Sequence, residues 1–238
     1  MNDRQATILC AIIDAYVKTA EPVSSNFLID HYDLPVSSAT VRNEMMALED
    51  AGYVRQPHTS AGRVPTEEGY RFYLQHRKQG KVIGKEASFE QTFEHHAKNE
   101  KDLMREIAKV LVELSGETAV TALESDWHHT AGLQKLFDKP DFADVENMRS
   151  LSEVVDRMDE VMADVFSDVS EEMNVWIGRE NPFGNQMATI MVRYRLPNGM
   201  LGMMGLVGPL RMDYERNMNL LEEARKIIED DYGKTKKE

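Results

Sequence analysis

The chain has 238 residues, of which 42% are hydrophobic and 29% charged, a composition that excludes a disordered or fibrous protein and allows one or two folded domains. Its net charge of −13, taken alone, argues against nucleic acid as a partner, because phosphate would repel the molecule as a whole. The charge is unevenly distributed, however: residues 1–82 carry −1 of it and the remaining 156 residues carry −12. Cys10 is the single cysteine and no run of about eighteen apolar residues occurs, so we expect a cytoplasmic protein without a disulfide, signal peptide or membrane span.

Three helices are predicted at the N-terminus. Apolar residues recur every three or four positions over residues 9–17, which indicates one buried face of a first helix. A serine cap at residue 24 or 25 predicts a short second helix that reaches Leu28. A third helix is predicted from a cap at Ser37 to a stop at 51–52, with an inward face of Val41, Met45 and Leu48.

A hairpin and a fourth helix follow these three. Residues 53–56 and 63–65 are strand-like, and residues that favour turns separate them. Thr66 offers a cap for the next helix, whose first turn carries Glu67 and Glu68 where negative charge favours the helix dipole. Three helices and a hairpin in this order predict a winged helix-turn-helix DNA-binding domain over residues 1–80.

The third helix of such a domain lies in the major groove of DNA, with the face opposite its buried residues towards the bases. Arginine is the usual reader of guanine and asparagine of adenine, and serine at a helix start favours a nearby phosphate. The predicted DNA-binding residues of this helix are Ser37, Ser38, Ala39, Thr40, Arg42, Asn43 and Met46.

The hairpin tip supplies a second set of predicted DNA contacts. Small residues there permit a close approach to the backbone of DNA, and we expect Arg63 to enter the minor groove or hold a phosphate. Between residues 53 and 81 six basic residues accompany two acidic ones, a local excess that suits phosphate. The predicted contacts of the tip are His58, Thr59, Ser60 and Arg63.

Residues 81–115 are predicted to be a linker followed by a dimerisation helix. The stretch 77–102 is polar, and the apolar residues after it are spaced by four, three and four positions, as in a short heptad seam. We expect this seam to pair with its copy in a second chain. Its members are Leu103, Ile107, Val110 and Leu114.

The remaining residues, 116–238, are predicted to form an α+β domain. The apolar period changes from helical to strand-like near residue 175, and Pro197-Asn198-Gly199 indicates a hairpin turn. Strands are expected at 117–123, 175–177, 187–194 and 201–207. Helices are expected at 132–137, 151–169 and about 213–230, the second of them as one long amphipathic helix.

Several other residues are predicted to be structural. The histidine pairs at 95–96 and 128–129 resemble metal ligands, but neighbouring side chains point to different faces, so we expect a solvated surface. Arg211 and Asp213 are expected to tie the last helix to the sheet. The seven methionines between 187 and 218 are expected to fill a core, the alternative being an adaptable surface for an unfolded protein or a chaperonin. We expect no cofactor and no enzymatic activity, because the sequence contains no recognisable pattern of a nucleophile with a base partner.

Four blocks of this sequence resemble one family. Residues 34–73 form a long block without gaps, and they are followed by shorter blocks at 132–142, 177–182 and 202–214. Together they resemble the heat-inducible transcription repressor family HrcA. The resemblance implies a homodimeric repressor with a GAF-like domain that binds an inverted-repeat operator in front of chaperone genes and is tuned by a chaperonin. Stress would relieve the repression.

The chain departs from that family at three places. Residues 119–124 run almost directly into Gly132, so much of the central region, including a dimerising insertion, is absent and the GAF-like domain is reduced. The seam at Leu103 to Leu114 is our candidate for a replacement dimer interface. Ser38 stands where the family usually has proline, and Leu210 stands where it usually has threonine.

Two alternatives to an operator-specific repressor stay open. In one, the GAF-like half binds a small molecule and the protein is a ligand-sensing transcription regulator. In the other, the winged helix has lost DNA binding and serves as a protein-interaction module.

Overall fold

The chain divides into two compact units, Met1–Gly80 and Lys81–Glu238. The computed structural model describes residues 1–76, 88–94, 96–124 and 126–230. Within those residues no helix is both long and apolar enough to cross a membrane.

The first unit begins with three helices, α1 (Asp3–Thr19), α2 (Ser25–His31) and α3 (Ser38–Asp50), as predicted. Each helix starts at a residue whose side chain accepts a hydrogen bond from a backbone N–H of the first turn, which satisfies a donor that the helix itself leaves free. Those caps are Asn2, Ser24 and Ser37.

The predicted hairpin and fourth helix complete this unit. Strand β1 (Val54–Arg55) pairs antiparallel with β2 (Val64–Pro65), and α4 (Glu67–His76) follows. The buried side chains come from all of these elements and form the core beneath α3: Leu9, Ile12, Ile13, Leu28, Val41, Leu48, Val54, Val64 and Tyr70.

The second unit is built on one antiparallel sheet of five strands in the order β4-β3-β7-β6-β5. Strand β7 is central and pairs with β3 and β6, and the turn between β6 and β7 includes Gly199 with a φ of 89°, as the Pro-Asn-Gly motif predicts. The strands are β3 (Thr118–Leu123), β4 (Trp127–Ala131), β5 (Asn174–Ile177), β6 (Met187–Arg195) and β7 (Leu201–Pro209).

Helices cover both faces of this sheet. The helices are α5 (Phe89–Thr92), α6 (Glu100–Ser115), α7 (Leu133–Phe137), α8 (Val145–Asp156), α9 (Met158–Asp168) and α10 (Tyr214–Asp230). On one face α6 and α10 pack on the strands, and the Tyr194 hydroxyl of β6 meets Met104 of α6. On the other face Val120, Met191 and Met203 pack against α8 and α9. The mixed α+β class with an antiparallel sheet is therefore confirmed.

The predicted dimer seam lies inside this unit, so that prediction is wrong. Leu103, Ile107 and Leu114 are buried and Val110 is half-buried, because α6 packs against β3, β4 and α10 of its own chain. A spacing of four, three and four produces a single apolar stripe on any helix, whether the stripe meets a second chain or the helix's own sheet.

Three further predictions need correction. The helix expected at 151–169 is two helices, α8 and α9, which meet at Arg157; the apolar period continues across this break because both helices pack on one core. Strand β4 is missing from the predicted strands, because its five residues do not alternate between apolar and polar. In the structure all five are half-buried. The expected linker at 77–102 falls partly outside the described residues, and Phe89 within it is fully buried, with its backbone N–H donating to Glu223 of α10 at 2.7 Å.

Candidate nucleic-acid interface

Helix α3 separates an inward face from an outward one, as its sequence predicts. Val41, Met45 and Leu48 are buried, whereas Ala39, Arg42, Asn43 and Met46 are exposed, with Met46 at 52% of its full accessibility. Arg42 forms no ion pair with any described residue. An exposed guanidinium, carboxamide and thioether on one helix can donate hydrogen bonds, accept them and contact an apolar surface.

The start of α3 is held by its hydroxyl groups. Ser37 accepts from the backbone N–H of Thr40 at 3.2 Å, and the two hydroxyls lie 3.0 Å apart. Ser38 donates to Asn26 Oδ1 at 2.6 Å and lies 3.2 Å from the Ser25 hydroxyl, so it joins the starts of α2 and α3. The Ser38 side chain is thus held between the starts of α2 and α3, whereas Ser37 remains exposed.

The hairpin tip, residues 57–62, is exposed at the three positions predicted to contact DNA: His58, Thr59 and Ser60. Its backbone is fixed from within, because the Gln56 side-chain amide donates to the carbonyls of Thr59 at 3.2 Å and Ala61 at 2.9 Å. The last residue of the tip, Gly62, lies where a side chain does not fit, because a Cβ there would be 2.3 Å from the Val23 carbonyl oxygen. The tip is therefore an exposed loop with an internally bonded backbone.

Arg63 is held by residues of its own unit. Its Nη2 is 2.7 Å from Glu49 Oε2, and its side chain is only 14% exposed. Its backbone N–H and carbonyl both pair with Val23, at 2.8 and 2.9 Å. Arg63 therefore joins the hairpin to α3 and to the segment before α2. Its side chain is engaged by Glu49, and its contact with a groove or a phosphate stays a prediction.

Two arginines near the predicted interface have charges that no described carboxylate neutralises. Arg42 lies on α3 and Arg55 at the end of β1, and both are exposed. By contrast Arg4 pairs with Glu44 at 3.2 Å, and Arg71 pairs with Glu67 at 2.6 Å. Sequence reasoning counts Arg55 only towards the local charge, because no sequence pattern distinguishes it from the paired Arg63. Arg77, Lys78 and Lys81 lie outside the described residues.

His128 Nε2 lies 3.0 Å from Asp159 Oδ1, His129 is half-buried, and burial lowers its pKa. Across the described ranges no group of three His, Cys, Asp or Glu side chains is placed to hold a metal, and His95 is not among them. The methionines fill the core, as predicted: Met187, Met191, Met203, Met204 and Met212 are buried.

The polar residues of the C-terminal blocks form hydrogen bonds that fix loops and the start of a helix. Asn181 is buried and accepts from the Phe183 backbone at 2.9 Å and from the Thr189 hydroxyl at 3.1 Å. Asp213 accepts from the Arg216 backbone at 3.0 Å and so starts α10. The prediction that Arg211 ties this helix to the sheet is wrong. Arg211 pairs instead with Asp141 in the turn Pro140–Phe142.

Comparison with known proteins decides the family. Residues 36–218 match the family described as HrcA protein C terminal domain. This chain belongs to the HrcA family. It is 24% identical to the heat-inducible transcription repressor HrcA of Carboxydothermus hydrogenoformans, in an alignment that covers 98% of each chain. It is 44% identical to the repressor of the same name from Bifidobacterium adolescentis over 126 residues, which are 52% of this chain and 33% of that one.

The alignments also show that this chain is shorter than a relative that it matches almost from end to end. The alignment with the Carboxydothermus HrcA runs over 337 positions, and 98% of this chain fills about 233 of them. Some 100 positions of that relative therefore have no counterpart in this chain. A crystal structure of a hypothetical protein at 2.2 Å resolution has the same fold, with a TM-score of 0.78, 23% identity and coverage of 96% of this chain and 97% of that one.

Proposed function

We propose that this HrcA family member is a homodimeric, non-enzymatic repressor that binds an inverted-repeat operator in front of chaperone genes and releases it under stress. In this proposal residues 1–76 are a winged helix-turn-helix in which α3 enters the major groove. The hairpin tip, residues 57–62, is the wing. The second unit is a reduced GAF-like regulatory domain whose activity a chaperonin tunes.

The outward face of α3 carries this proposal. Arg42, which forms no ion pair with a described residue, and Asn43 are exposed there, on a helix whose opposite face is at most 4% exposed. Bidentate reading of guanine and adenine needs these two side-chain types on a rigid helix. The first 82 residues are nearly neutral, so the acidic excess of the chain does not fall on this domain.

The phosphate contacts of the proposal differ from those expected from sequence alone. Among the residues that the structure describes, no carboxylate neutralises Arg55 or Arg42, whereas Arg63 pairs with Glu49. We therefore assign backbone contacts to Arg55, to the exposed Ser37 and to the hairpin tip residues His58, Thr59 and Ser60. Thr40 and Ser38, both half-buried, support the helix start.

The test is selection of a duplex from a randomised pool by the full-length protein, followed by fluorescence-anisotropy titration at two salt concentrations. We expect enrichment of an inverted repeat with half-sites one helical turn apart, about 34 Å, and binding that weakens steeply with salt. Sedimentation of the complex would give two chains per duplex. Equal, weak binding to the selected and scrambled duplexes would contradict the proposal and favour a protein-interaction module.

One feature supports the ligand-sensing alternative. A cavity of about 200 Å³ lies between β4 and α9, lined by polar and apolar groups that include Glu124, His128, Asp159 and Phe166. A thermal-shift screen of small molecules against the full chain distinguishes the two functions. A saturable ligand that also changes operator affinity would establish ligand-sensing control, and the same ligand with no effect on DNA binding would not.

A further inference from the structure

A single carboxylate connects α3 to both sides of the hairpin tip. Glu49 Oε1 accepts from the backbone N–H of Gln56 at 2.9 Å, at the end of β1. Glu49 Oε2 lies 2.7 Å from Arg63 Nη2, at the start of β2. The residues immediately before and after the tip are thus bound to the same side chain, which lies one residue from the end of the helix.

These contacts are partly shielded from solvent. The Arg63 side chain is 14% exposed and that of Glu49 is 33% exposed. A charge-assisted hydrogen bond in such a place is stronger and more directional than an ion pair in open solvent. Since Gln56 also bonds to the carbonyls of Thr59 and Ala61, the fixed backbone extends from Glu49 through Gln56 into the tip.

We propose that Glu49 is a positioning residue that clamps the hairpin tip to α3, through Arg63 and Gln56, so that helix and tip meet DNA as one preformed unit. This inference rests on the proposed DNA-binding function. Glu49 itself touches no base or phosphate. Its negative charge opposes phosphate binding, and Arg63 contributes to affinity by its pairing with Glu49 and not by contact with DNA.

The two effects of Glu49 have opposite signs, which makes the clamp testable. If Glu49 acted only through its charge, its neutralisation would tighten DNA binding, because a carboxylate repels phosphate. If it clamps the tip, neutralisation frees a loop that must be ordered again upon binding, and affinity falls. The matched control is Asp50, the next residue of α3, which is exposed and forms no ion pair with a described residue.

The experiment compares Glu49→Gln with Asp50→Asn in titrations against the duplex that the wild-type protein selects. Glu49→Gln keeps one acceptor for the Gln56 backbone and replaces the oxygen on the Arg63 side with an uncharged NH2 group, which cannot accept from Arg63. We expect Asp50→Asn to bind as tightly as wild type or more tightly, and Glu49→Gln to bind about 10-fold more weakly, which is about 1.4 kcal/mol. Binding of Glu49→Gln as tight as that of Asp50→Asn overturns the clamp.

Arg63 gives a second readout that a general loss of stability would not change. A phosphate contact adds about 0.9 to the slope of log affinity against log salt. We expect Arg63→Gln to weaken binding with this slope unchanged, and the double variant Glu49→Gln/Arg63→Gln to bind no more weakly than either single variant. A reduced slope in Arg63→Gln, or additive losses in the double variant, overturns the clamp.

A third measurement needs no DNA and separates failure of the clamp from failure of the proposed function. Amide hydrogen exchange of residues 58–62 is expected to speed up in Glu49→Gln and to stay at the wild-type rate in Asp50→Asn. Equal exchange in the two variants overturns the clamp even if the wild-type protein binds its duplex. Faster exchange in Glu49→Gln, together with a wild-type protein that selects no duplex, leaves the clamp standing and rejects its role in DNA binding.

Discussion

Arg211 binds Asp141 through two of its nitrogens, with Nε 2.9 Å and Nη2 2.8 Å from Asp141 Oδ2. These residues are 70 positions apart. The pair joins the segment after β7 to the turn before α8, so it connects two of the sequence blocks that resemble the HrcA family. A multiply bonded Arg–carboxylate pair of this kind fixes an orientation as well as a distance.

Asp141→Asn is expected to destabilise the second unit, because it leaves the Arg211 guanidinium, 13% exposed, without its counter-charge. We expect a loss of roughly 2 kcal/mol in the free energy of unfolding, below the value for a fully enclosed pair since Asp141 keeps some solvent. Denaturant unfolding followed by tryptophan fluorescence measures it. Glu160→Gln, in the exposed pair with Arg157, should change stability by under about 0.5 kcal/mol. Equal losses in the two variants would contradict this ranking.

Glu117 is expected to make stability fall as pH rises. Burial raises its pKa from 4.5 to about 7, against the lowering effects of Lys139, 2.9 Å away, and Arg211; Asp141 raises it further. Between pH 4.5 and 7 the folded state keeps a proton that the unfolded chain releases, so the free energy of unfolding decreases by about 3 kcal/mol across this window. Stability from this group is complete below pH 4.5 and lost above pH 7.

Glu117→Gln provides the reference for that pH dependence. Urea unfolding of wild type and variant between pH 4 and 8 gives a difference in stability from which the other titrating groups largely cancel. We expect the wild type to lose stability relative to the variant as pH rises from 4.5 to 7. Parallel curves would show that Glu117 titrates in the folded protein near its ordinary pKa.

Asn43→Ala is expected to relax specificity at one base pair of the duplex that the protein selects. The exposed carboxamide of Asn43 suits bidentate reading of adenine, so its loss should cost roughly 1 to 3 kcal/mol against the selected duplex and little against a scrambled one. Arg55→Ala, which removes a charge that no described carboxylate neutralises, should weaken binding to both duplexes. Competition with single-base-pair variants of the duplex measures the difference. Equal losses on both duplexes in Asn43→Ala would reject base reading by this residue.

Gly62→Ala is expected to disrupt the hairpin tip. The added Cβ would lie 2.3 Å from the Val23 carbonyl oxygen, and that backbone is held by its pairing with Arg63. We expect a loss of more than about 2 kcal/mol in the local stability of the first unit, measured by hydrogen exchange in α1 and α3. Gly52→Ala is the comparison, since its φ is +82° but no atom of a described residue lies within 4 Å of the added Cβ, and it should cost about 1 to 2 kcal/mol. A smaller loss at Gly62 would show that the tip can shift.

Ile107→Ala is expected to lower stability without changing the number of chains in the assembly. Ile107 is fully buried beneath the sheet of its own chain, so a cavity there should cost about 2 to 5 kcal/mol. Denaturant unfolding and sedimentation velocity together test this, with the exposed Lys109→Ala as control. Dissociation of a dimer at unchanged folding stability would restore the original interpretation of the α6 seam.

The N-terminal helices were predictable because their signals are local. A serine cap at Ser37 and an apolar spacing of Val41, Met45 and Leu48 act within one helix, so they determine where α3 begins and which side faces out. Family membership was also accessible, since long ungapped blocks of sequence carry it. The outward position of Arg42 and Asn43 follows from the same periodicity.

Only the tertiary structure decides which of the polar side chains are held by other residues of the chain. Arg63 and Arg55 are equally basic in sequence, but only Arg63 has Glu49 within 2.7 Å, and that pairing depends on how the hairpin folds back on α3. The apolar stripe of α6 likewise specifies a buried face without specifying its partner, which is the chain's own sheet. Periodicity and caps are read over a few residues, whereas ion pairs and core contacts join distant segments, so their partners are settled only when the chain has folded.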